Sequence, residues 1–195
     1  MPKDTFKNEQ ELIGAALEEF SQNSFDEASI NRILKRAGVS KGVFYYHFQD
    51  KEALYFHLME EAAQQKWEFI TVEIQSADFE NADIFGQFRI QAQAGIRFAA
   101  VHPQYYRFAK MVAKEKNPRI RAHIDSAFVK SDRIEKMIDR AIQKRNFSEE
   151  YTKEFLVAVI GHLFAHFDDI FPNDREAYEH LDNYITMMKN GLSAK

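Results

Sequence analysis

Residues 40–47, Ser-Lys-Gly-Val-Phe-Tyr-Tyr-His, gather a cation, a residue without a side chain and several hydrogen-bonding rings in one short stretch. That inventory suits gripping a polyanion better than making or breaking bonds. Lys41 and Gly42 combine a long cation with a missing side chain, which allows close approach to base edges. Tyr45, Tyr46 and His47 can donate hydrogen bonds to phosphates, contacts that fix register rather than read sequence. Arg32, Lys35, Arg36 and Lys51 lie nearby, and Asp50 is the only acid between Ala28 and Lys51. A local basic face of this kind suits phosphate binding. Asp50 is expected to cap the next helix, placing Lys51 in a first turn whose unpaired N–H groups favour an anion. Ser29, Ser40 and Val43 complete the set expected to meet nucleic acid.

Those groups need two helices to hold them. Ile30, Ile33, Leu34 and Ala37 recur at helical spacing, so one face of the first is apolar. Ser29 can cap its start and Gly38 can end it in the left-handed conformation. Ser40 is placed to cap the second helix, with Val43, Phe44 and Phe48 as its apolar contacts. Two short helices joined by a Gly-containing turn form a helix-turn-helix outline, in which the second helix enters the major groove by its N-terminal end. The outline alone also describes ordinary helical hairpins with a solvated basic face.

The residues are more specific than the outline. Ala37 to Leu54, AGVSKGVFYYHFQDKEAL, closely resembles the DNA-binding signature of the TetR (tetracycline-repressor-like) family of bacterial regulators. With the preceding helix, the resemblance covers about the first quarter of the chain. It implies three DNA-binding helices, a mostly helical ligand domain, and dimerisation through the last two long helices. It also implies a repressor that leaves its operator when an effector binds.

The rest of the chain accords with an all-α protein of about nine helices. The sequence has 195 residues, 45% hydrophobic and 29% charged, with 7 Gly and 4 Pro. It contains no Cys, which excludes disulfides, thiolate metal sites and Cys nucleophiles. A net charge of −4 argues against coating nucleic acid everywhere, not against one local contact. The start, MPKDTFKNEQ, lacks an apolar run, so no secretory signal is expected. Helix one is expected to follow a capping box at Asn8 and Glu11 and to bury Leu12, Ile13, Ala16, Leu17 and Phe20, with Phe25 plugging the same core. The expected domains are residues 1–54, which bind DNA, and 55–195, which bind effector and dimerise. Helix four runs from Lys51 to about Glu73 and so belongs to both. Helices follow over 84–101, 104–114 and 119–144, the last as one long helix, broken from its neighbours at His102-Pro103 and Asn117-Pro118.

Residues 148–171 form the most apolar helix, too short for the roughly 20 apolar residues of a membrane span. It is either a central core helix or one that packs on its own subunit and on a partner. Pro172 ends it, and Asn173 and Glu176 have capping-box spacing before the last helix. Following the resemblance, Phe155, Val159, His162, Phe167, Tyr178, Leu181, Ile185 and Met188 are expected at a homodimer interface. Trp67, Gln91, Phe98, Tyr105, Phe108, Phe128 and Phe164 are candidates to line an effector cavity, chosen by helix face rather than by motif. Any one of these aromatics could instead be core. His162, His166 and Asp169 could share a helix face, but HLFAH lacks the Glu of HExxH, and no phosphate loop or G-x-S-x-G occurs. No catalytic residue, metal or cofactor is expected. The expected partners are double-stranded operator DNA, a small largely apolar or aromatic effector and a second copy of the chain, in the cytoplasm. Two rival readings are a scaffold or small-molecule-binding protein that does not bind DNA, and a helical enzyme using His162 and His166.

Overall fold

The computed structural model describes residues 8–75, 78–129, 133–165, 167 and 176–194. Among the described residues ten helices follow in order: α1 Glu9–Phe20, α2 Ile30–Ala37, α3 Lys41–His47, α4 Lys51–Gln75, α5 Ile84–Val101, α6 Pro103–Ala113, α7 Pro118–Val129, α8 Arg133–Gln143, α9 Lys153–Ala165 and α10 Ala177–Leu192. Among the described residues there is no strand, only an isolated antiparallel bridge between Phe147 and Ser193. None of the helices searched is long and apolar enough to cross a membrane. Where one helix is expected over 119–144, the described residues are helical over Pro118–Val129 and Arg133–Gln143, and 130–132 lie outside them. The expected Asn8 cap is absent: Asn8 has φ 78° and its side chain caps nothing. The caps proposed at 172–176 lie outside the described residues, apart from Glu176, whose side chain makes no cap hydrogen bond.

The chain divides into two compact units. The first joins the residues up to Trp67 with Val101–Phe128; the second joins Glu68–Ala100 with the residues from Val129 onward. The α4 helix, about 37 Å long at 1.5 Å per residue, contributes to both. In the first unit, Leu12, Leu17 and Phe20 of α1, Ile33 and Leu34 of α2, Phe44 of α3 and Leu54, Tyr55 and Leu58 of α4 share one core with Phe108, Val112, Ile120 and Ile124. Local sequence cannot show that α6 and α7 return to cover the first three helices. Phe108, a candidate cavity residue, is only 1% exposed. Its ring lies 5.5 Å from Tyr55 and 6.4 Å from Phe20, edge-on and tilted as aromatic rings prefer.

The second unit has its own core of Ile84, Phe85 and Phe88 from α5, Met137 and Ile138 from α8, Leu156 and Ile160 from α9, and Leu181, Tyr184, Ile185 and Met188 from α10. Lys153, at the start of α9, sits 2.8 Å from both Glu135 and Asp139 of α8. Tyr184 donates to the Leu163 carbonyl at 3.2 Å, tying α10 to α9. Leu181, Ile185, Met188 and Phe167, expected to face a partner, are buried in this core instead. The apolar stripe of α10 is satisfied within its own chain.

Placing Phe108 in the first core has a direct consequence. Phe108→Ala should lower stability by about 3–5 kcal/mol and reduce hydrogen-exchange protection in α1. Unchanged protection of α1 would show that α6 does not cover it.

Candidate nucleic-acid interface

The reading pair is built by local chemistry. Gly38 ends α2 with φ 65°, a left-handed conformation that costs Gly little. The Val39 N–H donates back to the Leu34 carbonyl at 3.1 Å, closing the helix end. Ser40 then caps α3, its Oγ accepting from the Val43 N–H at 3.3 Å. Phe44 and Phe48 turn inward, their rings stacked 5.8 Å apart. The other side of α3 faces solvent: Tyr46 is 83% exposed, Tyr45 57% and Val43 40%, with Lys41 and Gly42 exposed beside them. Val43 therefore lies outside the core rather than within it. An added Cβ at Gly42 would meet only Ser40 Oγ, at 3.9 Å, so the fold does not require glycine there. His47 is half-buried, its ring edge-to-face with Tyr46 at 4.9 Å.

The flanking bases divide into two groups. Arg32 donates to the Glu19 carboxylate, from Nε at 2.9 Å and more closely from Nη2, and to the Glu27 carbonyl at 2.8 Å. Arg36 lies 3.1 Å from Glu18. Lys51 turns its ammonium to the carbonyls of Phe25 and Ala28, at 2.6 and 3.0 Å. Sequence reasoning counted all three as basic surface, because their acceptors lie on other elements. Lys35 and Lys41 remain exposed. Asp50 caps α4 as expected, accepting from the Ala53 N–H at 2.8 Å.

One acid that sequence reasoning passed over organises the site. Glu19 of α1 is only 5% exposed. Its carboxylate accepts from the Ser29 N–H at 2.9 Å as well as from Arg32. Ser29 thus offers its amide to Glu19, and its Oγ accepts only a long contact of 3.5 Å from Arg32 N. Burial by itself would raise the Glu19 pKa. The hydrogen bonds from Arg32 and Ser29 and the charges of Arg32 and Arg36 outweigh it, and the net displacement is downward.

The candidate effector residues do not fall in one unit. Trp67, Tyr105 and Phe108 belong to the first, Gln91 and Phe98 to the second. Tyr105 donates to Glu61 at 2.8 Å, and Gln91 approaches Met137 Sδ at 3.0 Å. Phe98 meets Phe69 edge-on at 5.7 Å. The side chains of Phe128 and Phe164 lie outside the described residues, as do His166 and Asp169. Of the expected interface, Phe155 is 44% and Tyr178 41% exposed, His162 is exposed and Val159 half-buried.

Comparison with known proteins places this geometry in context. The pattern described as "Bacterial regulatory proteins, tetR family" matches residues 12–58. An uncharacterized HTH-type transcriptional regulator, YvdT of Bacillus subtilis (strain 168), is 43% identical over 54 residues, 28% of each chain. A probable acrEF/envCD operon repressor of Escherichia coli (strain K12) is 28% identical over 109 residues, covering 56% of this chain and 48% of that protein. The chain thus spans between about a quarter and a half of the length of these relatives. Across nearly the whole chain the fold matches a TetR family transcriptional regulator from Chloroflexus aurantiacus J-10-FL. That match has a TM-score of 0.73 at 23% identity and covers 96% of this chain and 94% of the other.

A lowered carboxylate pKa ties stability to acid. The Glu19 contribution is complete above the ordinary carboxylate value of 4.5 and is lost as pH falls through its lower folded value. Glu19→Gln should therefore cost about 1–3 kcal/mol at neutral pH and flatten the acid limb of the stability curve. Parallel acid limbs in the two proteins would remove Glu19 from this role.

Proposed function

We propose that this chain is a member of the TetR family and acts as a homodimeric, DNA-binding transcriptional regulator. It binds a roughly palindromic operator in the cytoplasm, acts as a repressor, and is released by a small, largely apolar or aromatic effector. The observation that carries this reading is the outward presentation of Lys41, Tyr45 and Tyr46 on α3, above an inner face sealed by Phe44 and Phe48. Burial of Lys41 and Tyr46 would have ruled it out. Lys35 is exposed beside them, and Arg32 and Arg36, though paired with Glu19 and Glu18, are still 56% and 48% exposed, so the local footprint is basic and affinity should fall with salt. Gly42 fits the same purpose, since the fold leaves room for a side chain there and a groove would not.

Two recognition helices must stand about 34–36 Å apart to read successive major grooves, so the function calls for a dimer. The apolar residues that α9 and α10 leave exposed support one. On α9, Phe155, Ala158 and His162 lie on one face, opposite the buried Leu156 and Ile160. On α10, Tyr178 and Met187 are 41% and 56% exposed. This narrows the expected interface to the residues the protomer's own core does not use. Effector binding is assigned to the helices after α3, where Gln91 is half-buried and meets Met137 Sδ. The effector must prefer the state that releases DNA, and reversing a 99:1 occupancy needs about 5.5 kcal/mol of differential affinity. The reading is of a binding protein rather than a catalyst.

Lys41→Ala should weaken binding to a duplex selected by the unaltered protein from a random pool, lower the salt slope by about 1, and leave the fold intact. Unaltered affinity and slope would refute the placement of α3. Phe155→Glu should convert the dimer to monomer by light scattering; a mutant that keeps the dimer mass would locate the interface elsewhere.

A further inference from the structure

The turn between α1 and α2 is gripped from two sides by residues of opposite charge. Lys51, the first residue of α4, donates from Nζ to the carbonyls of Phe25 at 2.6 Å and Ala28 at 3.0 Å, with the Asp26 carbonyl at 3.4 Å. Its ammonium also lies 4.5 Å from the centroid of the Phe25 ring. Glu115 lies in the corner between α6 and α7 and is only 7% exposed. Its carboxylate accepts the Phe25 N–H at 2.9 Å and the N–H groups of Lys116 and Asn117, each at 2.8 Å. Asn117 in turn donates to the Asp26 carboxylate at 2.8 Å. Phe25 is therefore held at its N–H by an acid from one element and at its C=O by a base from another.

We propose that Lys51 and Glu115 are a positioning pair for DNA binding, and that Lys51 acts through this turn rather than as a phosphate ligand. An ammonium has three protons and no acceptor, and carbonyls already receive them here. A phosphate would have to compete for protons that hold the turn. Ser29 and α2 follow directly, so the grip on Phe25 and Ala28 sets where α2 begins and, through the Gly38 turn, where α3 lies. The pair offers a contrast that charge alone does not. Simple electrostatics says that removing a base weakens DNA binding and removing an acid strengthens it. Positioning says that both weaken it.

The proposal rests on the DNA-binding reading above, and its test separates the two. Lys51→Met keeps the stem and removes the donors; Glu115→Gln keeps the shape and removes the charge. In the full chain, against a duplex selected by the unaltered protein from a random pool, each should lower affinity about tenfold without changing the salt slope. Each should also lower the thermal midpoint by about 2–4 °C, and the double variant should lose less than the sum, because both hold the same residue, Phe25. The proposal is overturned if Lys51→Met lowers the salt slope by about 1 at an unchanged midpoint, or if Glu115→Gln binds as tightly or more tightly. Should the unaltered chain bind no duplex, the DNA-binding reading fails, while the midpoints still judge the pair: unchanged midpoints or strictly additive losses overturn it. If Lys51→Met does not fold, Lys51→Gln, which retains an amide donor, carries the same comparison.

Discussion

A carboxylate withdrawn from water must be answered by charge and by donors, and Glu19 is answered by both. The Arg32 guanidinium meets it as a planar fork, a geometry that Lys cannot supply. The Ser29 amide completes its shell. The bond to Ser29 falls on the residue that begins α2, so α1 dictates where the first helix of the reading pair starts. The exposed side of α3 follows from that start, from the left-handed Gly38 and from the Ser40 cap. Arg32 serves the fold, and so does much of what looks in sequence like a DNA-facing cluster.

The legible parts of this protein are those whose chemistry is local. Gly38, Ser40 and Asp50 take the conformations and caps their neighbours require, and the helix boundaries at Pro103 and Pro118 fall where proline puts them. The inward faces of α1 and α2 were readable because apolar residues at helical spacing have one place to go. The exposed rings of Tyr45 and Tyr46 were readable from the signature that surrounds them. By contrast, Arg32 reaches back to α1 and Lys51 reaches the turn before α2. No spacing rule within the motif reveals either contact.

The same limit explains the interface and cavity assignments. Periodicity identifies the apolar stripe of α10 but not which neighbour it meets, and Leu181, Ile185 and Met188 meet their own chain. On α9, apolar residues occur on more than one face, so the sequence could not say that Leu156 and Ile160 go inward while Phe155 stays out. Phe108 shows the limit most plainly. It reads like any aromatic of a cavity-lining helix, yet it packs edge-on and tilted against rings from α1 and α4 that precede it by dozens of residues.

That return of α6 and α7 bears on how the protein is made. Synthesis runs from the N-terminus, but the first unit draws on residues as late as Phe128. Until those residues leave the ribosome, Phe20 and Tyr55 lack part of their cover, and the ordering entropy of a long intervening segment has yet to be met. A message broken before α6 would yield a reading head whose signature is intact and whose core is open. Such a product is a candidate for proteolysis.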